Sequence, residues 1–430
     1  MRWILASIAA IALTIAGAAW VGRPSPLTIE IPDFGVADDL NMDRIARHIE
    51  TLSAAPSRMS GYPGADAAFA HIRKELERIG LTDFFVQEFP VAAPVVEHAY
   101  LEAETPEGRV RIPLHPLWPN LVRTGHTPAE GVRGPLVDAG RGTEPEIHGK
   151  TIRDAIVVMN WDSDAEWLSV LEFGGKAVIF REDARGTGYQ ARKKFLTVPA
   201  NLPRFFVAAP DLPALDALLA MPDTEAVIHC VMDWQQVAAR NLLARLSPGA
   251  PPGRVPALDR TPIIFHAYYD SISTVPDLAP GAEQACGPAV LLELARYIRD
   301  LPEVPPRPIY LLFAGGHGQA MAGMTHFTRT LMDGLEHGWP PAERDSLIAQ
   351  MGRPGLFIGL DLSSRSDRMG IFCVGRFRSQ FEHILRPKFS TLALKLDDFA
   401  KSFMTDYEEV TVHTVTSLSL IHISEPTRPY

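Results

Sequence analysis

The sequence predicts an α/β protein with a mostly parallel sheet and helices on both faces. Three apolar runs, residues 263–269, 308–316 and 355–364, do not alternate with polar positions, which is typical of strands buried on both faces. Segments with apolar residues at helical spacing, 288–300 and 321–336, separate these runs. This strand–helix–strand–helix–strand order predicts parallel strands covered by helices.

Composition narrows the class of protein. The 430 residues suggest two or three domains at ~150 residues each. The 46% hydrophobic and 21% charged content is ordinary for a globular protein, and the net charge of −10, with no dense basic run, argues against nucleic acid as a partner. Cys230, Cys286 and Cys373 lie far apart, which disfavours a disulfide framework or a zinc-finger site.

The first residues have the pattern of an export signal. Arg2 precedes an apolar run at residues 3–21, which is longer than a usual signal core and nearly long enough to span a bilayer. Residues 1–22 are therefore a signal peptide, cleaved near Ala18, or a membrane anchor, which we favour. The Pro-rich residues 23–40 would form a tether. Both alternatives place the remainder outside the cytoplasm, membrane-anchored or secreted.

The segments after residue 40 differ in the secondary structure that their sequence patterns predict. Residues 41–96 read as two helices and a strand, with Phe69, Ile72, Leu76 and Ile79 on one helical face before Gly80. From about residue 97 to 235, short β-rich pieces alternate with Gly and Pro, as in a separate insert. Residues 236–417 carry the α/β pattern. Residues 418–430 resemble a translated sequencing adapter, so we expect a truncated chain, exclude this tail from the fold and give its histidine no role.

Polar residues follow each of the three predicted parallel strands, where α/β sheets bind their ligands. They are Tyr268, Asp270 and Ser271, then Glu283 in the next loop, His317, and finally Asp361, Ser363 and Ser364. Carboxylates and imidazoles that converge from several strand ends are typical of a hydrolytic metal site. Each residue also has a simpler explanation: the aspartates cap turns, Glu283 and His317 are solvated, and His266 is a core histidine.

The order of these motifs resembles the di-zinc aminopeptidase family, whose relatives include glutamate carboxypeptidase, transferrin receptor and nicastrin. The similarity covers most of residues 43–405. It is carried by "SRMSGYPGADAAFAHIRKEL", "ARNLLARL", "HAYYDS", "PGAEQACG", "LLFAGGHGQAMAG" and "GLDLSS". The resemblance implies a zinc-aminopeptidase-like fold and makes residues 97–235 similar to a protease-associated domain.

The same resemblance implies a degenerate metal site. Tyr268 stands where the family has its first histidine ligand, although Asp270, which would orient that ligand, is kept. Glu283 stands at the bridging aspartate, and Asp361 keeps the aspartate ligand. The family's glutamate pair, the general base and a ligand, is replaced by His317 and Gly318. The last histidine ligand would lie beyond the expected truncation.

A normal di-zinc site cannot form from these residues. A phenol with pKa ~10 is a poor ligand, and Gly318 offers no donor. His266 points to the same strand face as Tyr268 and could substitute, but it lies ~6–7 Å back along the strand. His317 could replace the base because the pKa of an imidazole lies near neutrality. Glu283, Asp361, the missing histidine and water could hold a single metal ion, so we expect zinc to be reduced or absent.

Three hypotheses follow for function. The first is an exported, membrane-anchored ectodomain that binds a peptide or protein ligand, or serves as a scaffold, without di-zinc hydrolysis. The second is an active metallo-aminopeptidase or carboxypeptidase with a rearranged site. The third is a metal-independent hydrolase using Ser271, Ser363 or Ser364, for which the sequence contains no Gly-x-Ser-x-Gly elbow.

Overall fold

The computed structural model describes residues 40–182, 188–195, 199–249 and 261–362, together with the backbone of 369–372 and 412–415. The predicted leader, the adapter-like tail, Cys373, Ser363 and Ser364 lie outside these ranges. Within them, no helix has the length and apolar character needed to cross a membrane. Cys230 and Cys286 are buried and form no disulfide with each other.

The described helices and strands alternate along the chain. The helices are α1 (Met42–Leu52), α2 (Pro63–Arg78), α3 (Glu144–Ile147), α4 (Leu168–Glu172), α5 (Gly188–Arg192), α6 (Leu212–Ala220), α7 (Cys286–Arg299), α8 (Ala322–His337) and α9 (Leu347–Met351). The strands are β1 (Phe84–Thr105), β2 (Gly108–Pro113), β3 (His115–Pro116), β4 (Val132–Asp138), β5 (Ile156–Asn160), β6 (Ala177–Arg181), β7 (Arg204–Val207), β8 (Glu225–Ser247), β9 (Ile263–Tyr268), β10 (Ile309–Ala314), β11 (Leu356–Gly359), β12 (Met369–Phe372) and β13 (Val412–Val415).

Most of these strands form one mixed sheet in the order β11-β9-β10-β8-β4-β5-β6-β7-β3, with β1 and β2 branching from β8. Strand β9 is parallel to both β10 and β11, and β4 to β7 form a second parallel group. Strand β8 is antiparallel to β10, β4 and β1. The α/β class is therefore confirmed.

Helices cover both faces of the sheet around β9 and β10. Phe265 and Phe313 belong to a core that includes buried side chains of α1, α2 and α7. Ile264 and Leu312, one position before each, face the opposite way and pack with buried residues of α8 and α9. This alternation explains why both strands read as uninterrupted apolar runs.

The second helix follows the sequence pattern closely. Pro63 is the first residue of α2, where its missing N–H costs nothing. Phe69, Ile72 and Leu76 are buried against the sheet, as predicted. The helix ends at Arg78, and Gly80 adopts a φ of 85°, a left-handed conformation that glycine accommodates.

Two long strands, β1 and β8, cross the boundaries that the sequence predicts for the insert. Strands β1 and β8 contain 22 and 23 residues and pair from Phe84↔Ala244 to Ala103↔Ala226, with one irregularity between Val96 and His98. The predicted boundaries at 97 and 235 lie inside these strands. Residues between them form two further cores, and among the described residues Val275 is the one buried member that lies outside this range. The protease-associated insert stays a prediction.

Candidate functional site

The carboxyl ends of β9 and β10 bring Tyr268 and His317 into direct contact. Because β9, β10 and β11 are parallel, the residues that follow them share one edge of the sheet. The rings of Tyr268 and His317 stack with centroids 4.3 Å apart and planes 12° from parallel. The residue at the expected ligand position thus packs flat on the residue at the expected base position.

Tyr268 is a poor metal donor in these surroundings. Burial raises the pKa of its hydroxyl, and the negative charges of Asp270 and Asp361 raise it further. The phenol therefore stays protonated at neutral pH, and a protonated phenol is a weak ligand for zinc. Its ring also meets the edge of His266, with centroids 6.2 Å apart.

Asp270 is fully buried and holds the turn that carries His317. Its Oδ2 accepts hydrogen bonds from Ser60 Oγ at 2.7 Å, Gly316 N at 2.8 Å and His317 N at 3.1 Å. Burial raises the pKa of this carboxyl, whereas His317 and the hydrogen bonds from Ser60, His317 and Gly316 act to lower it. The aspartate predicted to orient a histidine ligand instead orients the backbone after β10.

Arg58 and Ser60 support the site but are not among the sequence candidates. The Arg58 side chain is fully buried, and its guanidinium donates to the carbonyls of Leu52, Tyr269, Pro280 and Gly281 at 2.6–2.8 Å. Burial lowers its pKa to about 10, and nearby Asp270 opposes that shift. The signal in the sequence is an arginine directly before the turn "MSGYPG", which a local pattern does not mark as buried.

Glu283 and Asp361 are close enough to influence each other electrostatically. Desolvation by the surrounding protein raises the pKa of the Asp361 carboxyl, although the residue is exposed at the surface. The charge of His317 lowers this pKa, and the negative charge of Glu283 raises it. Glu283 is half-buried just before α7. The next side chain, Gln284, exchanges two hydrogen bonds of 3.1 Å with the backbone of Ile272, so it closes the loop.

His266 lies against β11. It pairs in register with Gly359, and a Cβ at that glycine would lie 2.6 Å from His266 Nε2. Burial, and then His317, lower its pKa to about 4, so the imidazole is neutral. Among the described residues, its buried Nδ1 has no hydrogen-bond partner, and neither do His317 Nδ1 and the amide atoms of Gln319.

The described donors do not fit two zinc ions. Among the residues that the structure describes, no three His, Cys, Asp or Glu side chains are grouped so that they could hold a metal ion. Gly318 has no donor, and a side chain there would meet Ile272 at 3.4 Å. The last histidine ligand of the family resemblance lies outside the described residues, so reduced or absent zinc stays a prediction.

Ser271 also stabilises the loop after β9 through its hydrogen bonds. Its side chain is fully buried, and its hydroxyl donates to the carbonyl of Ala279 at 2.5 Å. The adjacent backbone N–H of Ser271 donates to the carbonyl of Arg58 at 3.1 Å. A nucleophile must be accessible to substrate, so this serine does not support the metal-independent hydrolase hypothesis.

Comparison with known proteins supports the family resemblance. The model of peptidase family M28 matches residues 241–427. The peptidase M28 precursor of Shewanella amazonensis SB2B shares the fold at 16% identity, covering 96% of this chain and 84% of that chain with a TM-score of 0.51. A zinc aminopeptidase from Bacillus subtilis is 18% identical over 74% of this chain and 68% of that chain, with a TM-score of 0.46. No curated protein sequence matches the chain.

Proposed function

With residues 241–427 matching peptidase family M28, we propose that this chain is an aminopeptidase-fold binding protein that does not hydrolyse peptides by the di-zinc route. The Tyr268–His317 stack carries the proposal. It occupies, in one contact, the positions from which a first zinc ligand and a general base would act. Hydrolysis of this type needs both a held metal ion and a carboxylate that takes a proton from water.

The same edge of the sheet carries polar groups that a peptide ligand could pair with. His317 Nδ1 and both amide atoms of Gln319 are buried and have no hydrogen-bond partner in the part of the chain that the structure describes. A buried polar group without a partner costs roughly 1–3 kcal/mol, which a bound donor or acceptor can recover. A peptide backbone carries one donor and one acceptor at each residue, which matches this mixed set. We therefore propose a peptide or protein segment as the ligand.

The proposed location is the extracytoplasmic side of a membrane. The apolar run at residues 3–21 and the preceding Arg2 support an anchor or a signal peptide. Expression of the full chain in a bacterium, followed by alkaline carbonate washing of the membranes, distinguishes the two. We expect the protein in the washed pellet. Release of a chain that begins near residue 19 would support cleavage, and a full-length chain found in the cytosol would contradict export.

The catalytic part of the proposal is tested by metal content and turnover. The purified full-length protein is dialysed against zinc and analysed by elemental mass spectrometry, then assayed with aminoacyl nitroanilides. We expect neither stoichiometric zinc nor cleavage. The triple variant Tyr268→His, His317→Glu, Gly318→Glu restores donors and is expected to bind more zinc. Two zinc ions per wild-type chain together with turnover would overturn the proposal.

The binding part is tested separately. Native mass spectrometry of the protein with a defined mixture of synthetic tripeptides should reveal a bound peptide. Gln319→Leu should weaken that complex at least tenfold, because the leucine cannot hydrogen-bond. Gln236→Leu is the matched control, since Gln236 is exposed on β8. Equal affinity in both variants would exclude the sheet edge around His317 and Gln319 as the binding site.

An active metallopeptidase with a rearranged site is the second candidate. The observation in its favour is that Glu283 raises the pKa of Asp361, since two nearby carboxyls form a place that a cation would stabilise. One zinc ion per chain that is lost in Glu283→Gln, together with turnover that needs the metal, would support this candidate over the first.

A further inference from the structure

A polar cleft lies among the helices that cover one face of the sheet. It has a volume of about 330 Å³ and is formed by α1, α2 and α7. Its lining includes Glu293, seven residues after the start of α7 and therefore about 10 Å along the helix from the strand ends. This cleft plays no part in the proposed peptide site.

A buried carboxylate fixes two arginines in the wall of this cleft. Glu293 is fully buried, and its Oε2 accepts from Arg44 Nε at 2.6 Å. Its Oε1 accepts from Arg296 at 2.9 and 3.2 Å and from the backbone N–H of Asn41 at 3.0 Å. Arg296 also pairs through Nη1 with Asp300 at 2.6 Å, so the two guanidinium groups are balanced by two carboxylates.

The other charged residues of the cleft leave one positive charge in excess. Four arginines and two glutamates line the cleft, on a chain whose net charge is −10. Arg78 pairs with Glu75, the second glutamate. Arg47 is exposed, and within the described part of the chain its guanidinium has no hydrogen bond or ion pair. It is therefore a cation that is available to an anionic ligand.

A pair of histidines supplies a neutral donor to the same cleft. His48 Nδ1 and His71 Nε2 are 3.1 Å apart, so one imidazole donates to the other. Burial and then His71 lower the pKa of His48 to about 4, which keeps its imidazole neutral near pH 7. Two neutral imidazoles carry two N–H groups, and the contact uses one of them. The other N–H is left to donate a hydrogen bond to a ligand oxygen, whichever tautomer is present.

We propose that this cleft binds a small phosphate-bearing anion. The exposed guanidinium of Arg47 matches the oxygens of a phosphate, and the additional N–H suits an acceptor-rich group. The volume is near the lower limit for small-molecule sites, which indicates a compact ligand. Inorganic phosphate and a small phosphate ester share this chemistry.

The test is calorimetric titration of the full-length protein at pH 7 and constant ionic strength, with inorganic phosphate in one arm and glycerol 3-phosphate in the other. We expect saturable binding in at least one arm, and the tighter arm identifies the source of the phosphate group. Arg47→Gln should weaken binding at least tenfold, and Arg47→Glu should abolish it. Arg329→Gln, at an exposed arginine of α8, is the matched control and should bind as the wild type does.

Two results would overturn the assignment. Equal binding of succinate or chloride would show that the cleft attracts any anion. Equal affinity of wild type and both Arg47 variants would show that Arg47 is not part of a site. Arg47 is exposed, so its substitution leaves the packing of α1 intact, and an unchanged thermal melt verifies this.

Discussion

The described hydrogen bonds of the Arg58 guanidinium all go to backbone carbonyls, and they join the turn before α2 to the loop after β9. Arg58→Lys leaves a single ammonium that cannot reach every acceptor, so buried carbonyls lose their partners. We expect the free energy of unfolding to fall by about 3–5 kcal/mol. Urea unfolding followed by circular dichroism measures the loss. Arg73→Lys, at a half-exposed surface pair, is the control and should change little.

Asp270 is the second residue that holds the candidate site together, because it fixes the turn that carries His317. In Asp270→Asn, the amide keeps one acceptor oxygen and places an NH₂ group against the N–H donors of Gly316 and His317. We expect a loss of about 2–4 kcal/mol in unfolding free energy, since buried donors are left unpaired. The matched control is Asp216→Asn, at a carboxylate that is 58% exposed. Equal urea midpoints for the two variants would contradict the role assigned to Asp270.

At the scale of elements, local pattern predicts much of this fold. Strands β9 and β10 were predictable because each is buried on both faces and therefore lacks polar alternation. The pairing of β1 with β8 was not, because its register depends on residues more than a hundred positions apart. The same limit applies to Asp270, whose partner Ser60 lies 210 positions earlier in the chain.

The candidate site likewise contains some features that the local sequence predicts and others that depend on the fold. Strand ends and motif order locate Tyr268 and His317, since both follow directly from the α/β pattern. Their stacking depends on two rotamers and on the turn held by Asp270, which no local spacing encodes. Arg58 was missed because a charged residue is normally exposed, and its burial is stabilised only by carbonyls brought together by the fold.

The contact between α1 and α2 contains a pH-sensitive pair. Burial and then His71 lower the pKa of His48 from 6.5 to about 4; Glu75 and Glu293 raise it, and Arg44 lowers it. Between these two values the folded state binds fewer protons than the unfolded chain. This contribution to stability is therefore present above pH 6.5 and is lost as the pH falls through 4.

Substitution of His48 should accordingly flatten the acid side of the stability profile. In His48→Gln, the difference in unfolding free energy between neutral pH and pH ~4.5 should be smaller by about 2 kcal/mol than in the wild type. Urea unfolding at the two pH values gives this difference. His148→Gln, at an exposed histidine, should leave it unchanged. An identical difference in wild type and His48→Gln would refute the assignment.

At the scale of the whole molecule, β1 and β8 carry the coupling between two groups of cores. The start of β1 pairs with the end of β8, and these parts support the cores around α1, α2, α7 and α8. The end of β1 pairs with the start of β8, and these parts support the cores of residues 97–235. The pairing of β1 with β8 continues from one group of cores to the other, with one irregularity between Val96 and His98. A strand that belongs to two cores cannot dissociate from one without weakening the other.

Unfolding of the two parts should therefore be coupled. Tryptophan fluorescence reports mainly on residues 97–235, which contain four of the five tryptophans in the described part of the chain, Trp118, Trp161, Trp167 and Trp234. Circular dichroism reports mainly on the helices outside that range. We expect the two denaturation curves of the wild type to coincide, as for a cooperative transition. Gly-Ser-Gly-Ser inserted after both Val95 and Met232 interrupts β1 and β8 at facing positions and should separate the curves. The same insert after Pro106, in the exposed turn before β2, should leave them together. Separate wild-type curves, or coincident curves in the double insertion, would show that the two parts unfold independently of the shared strands.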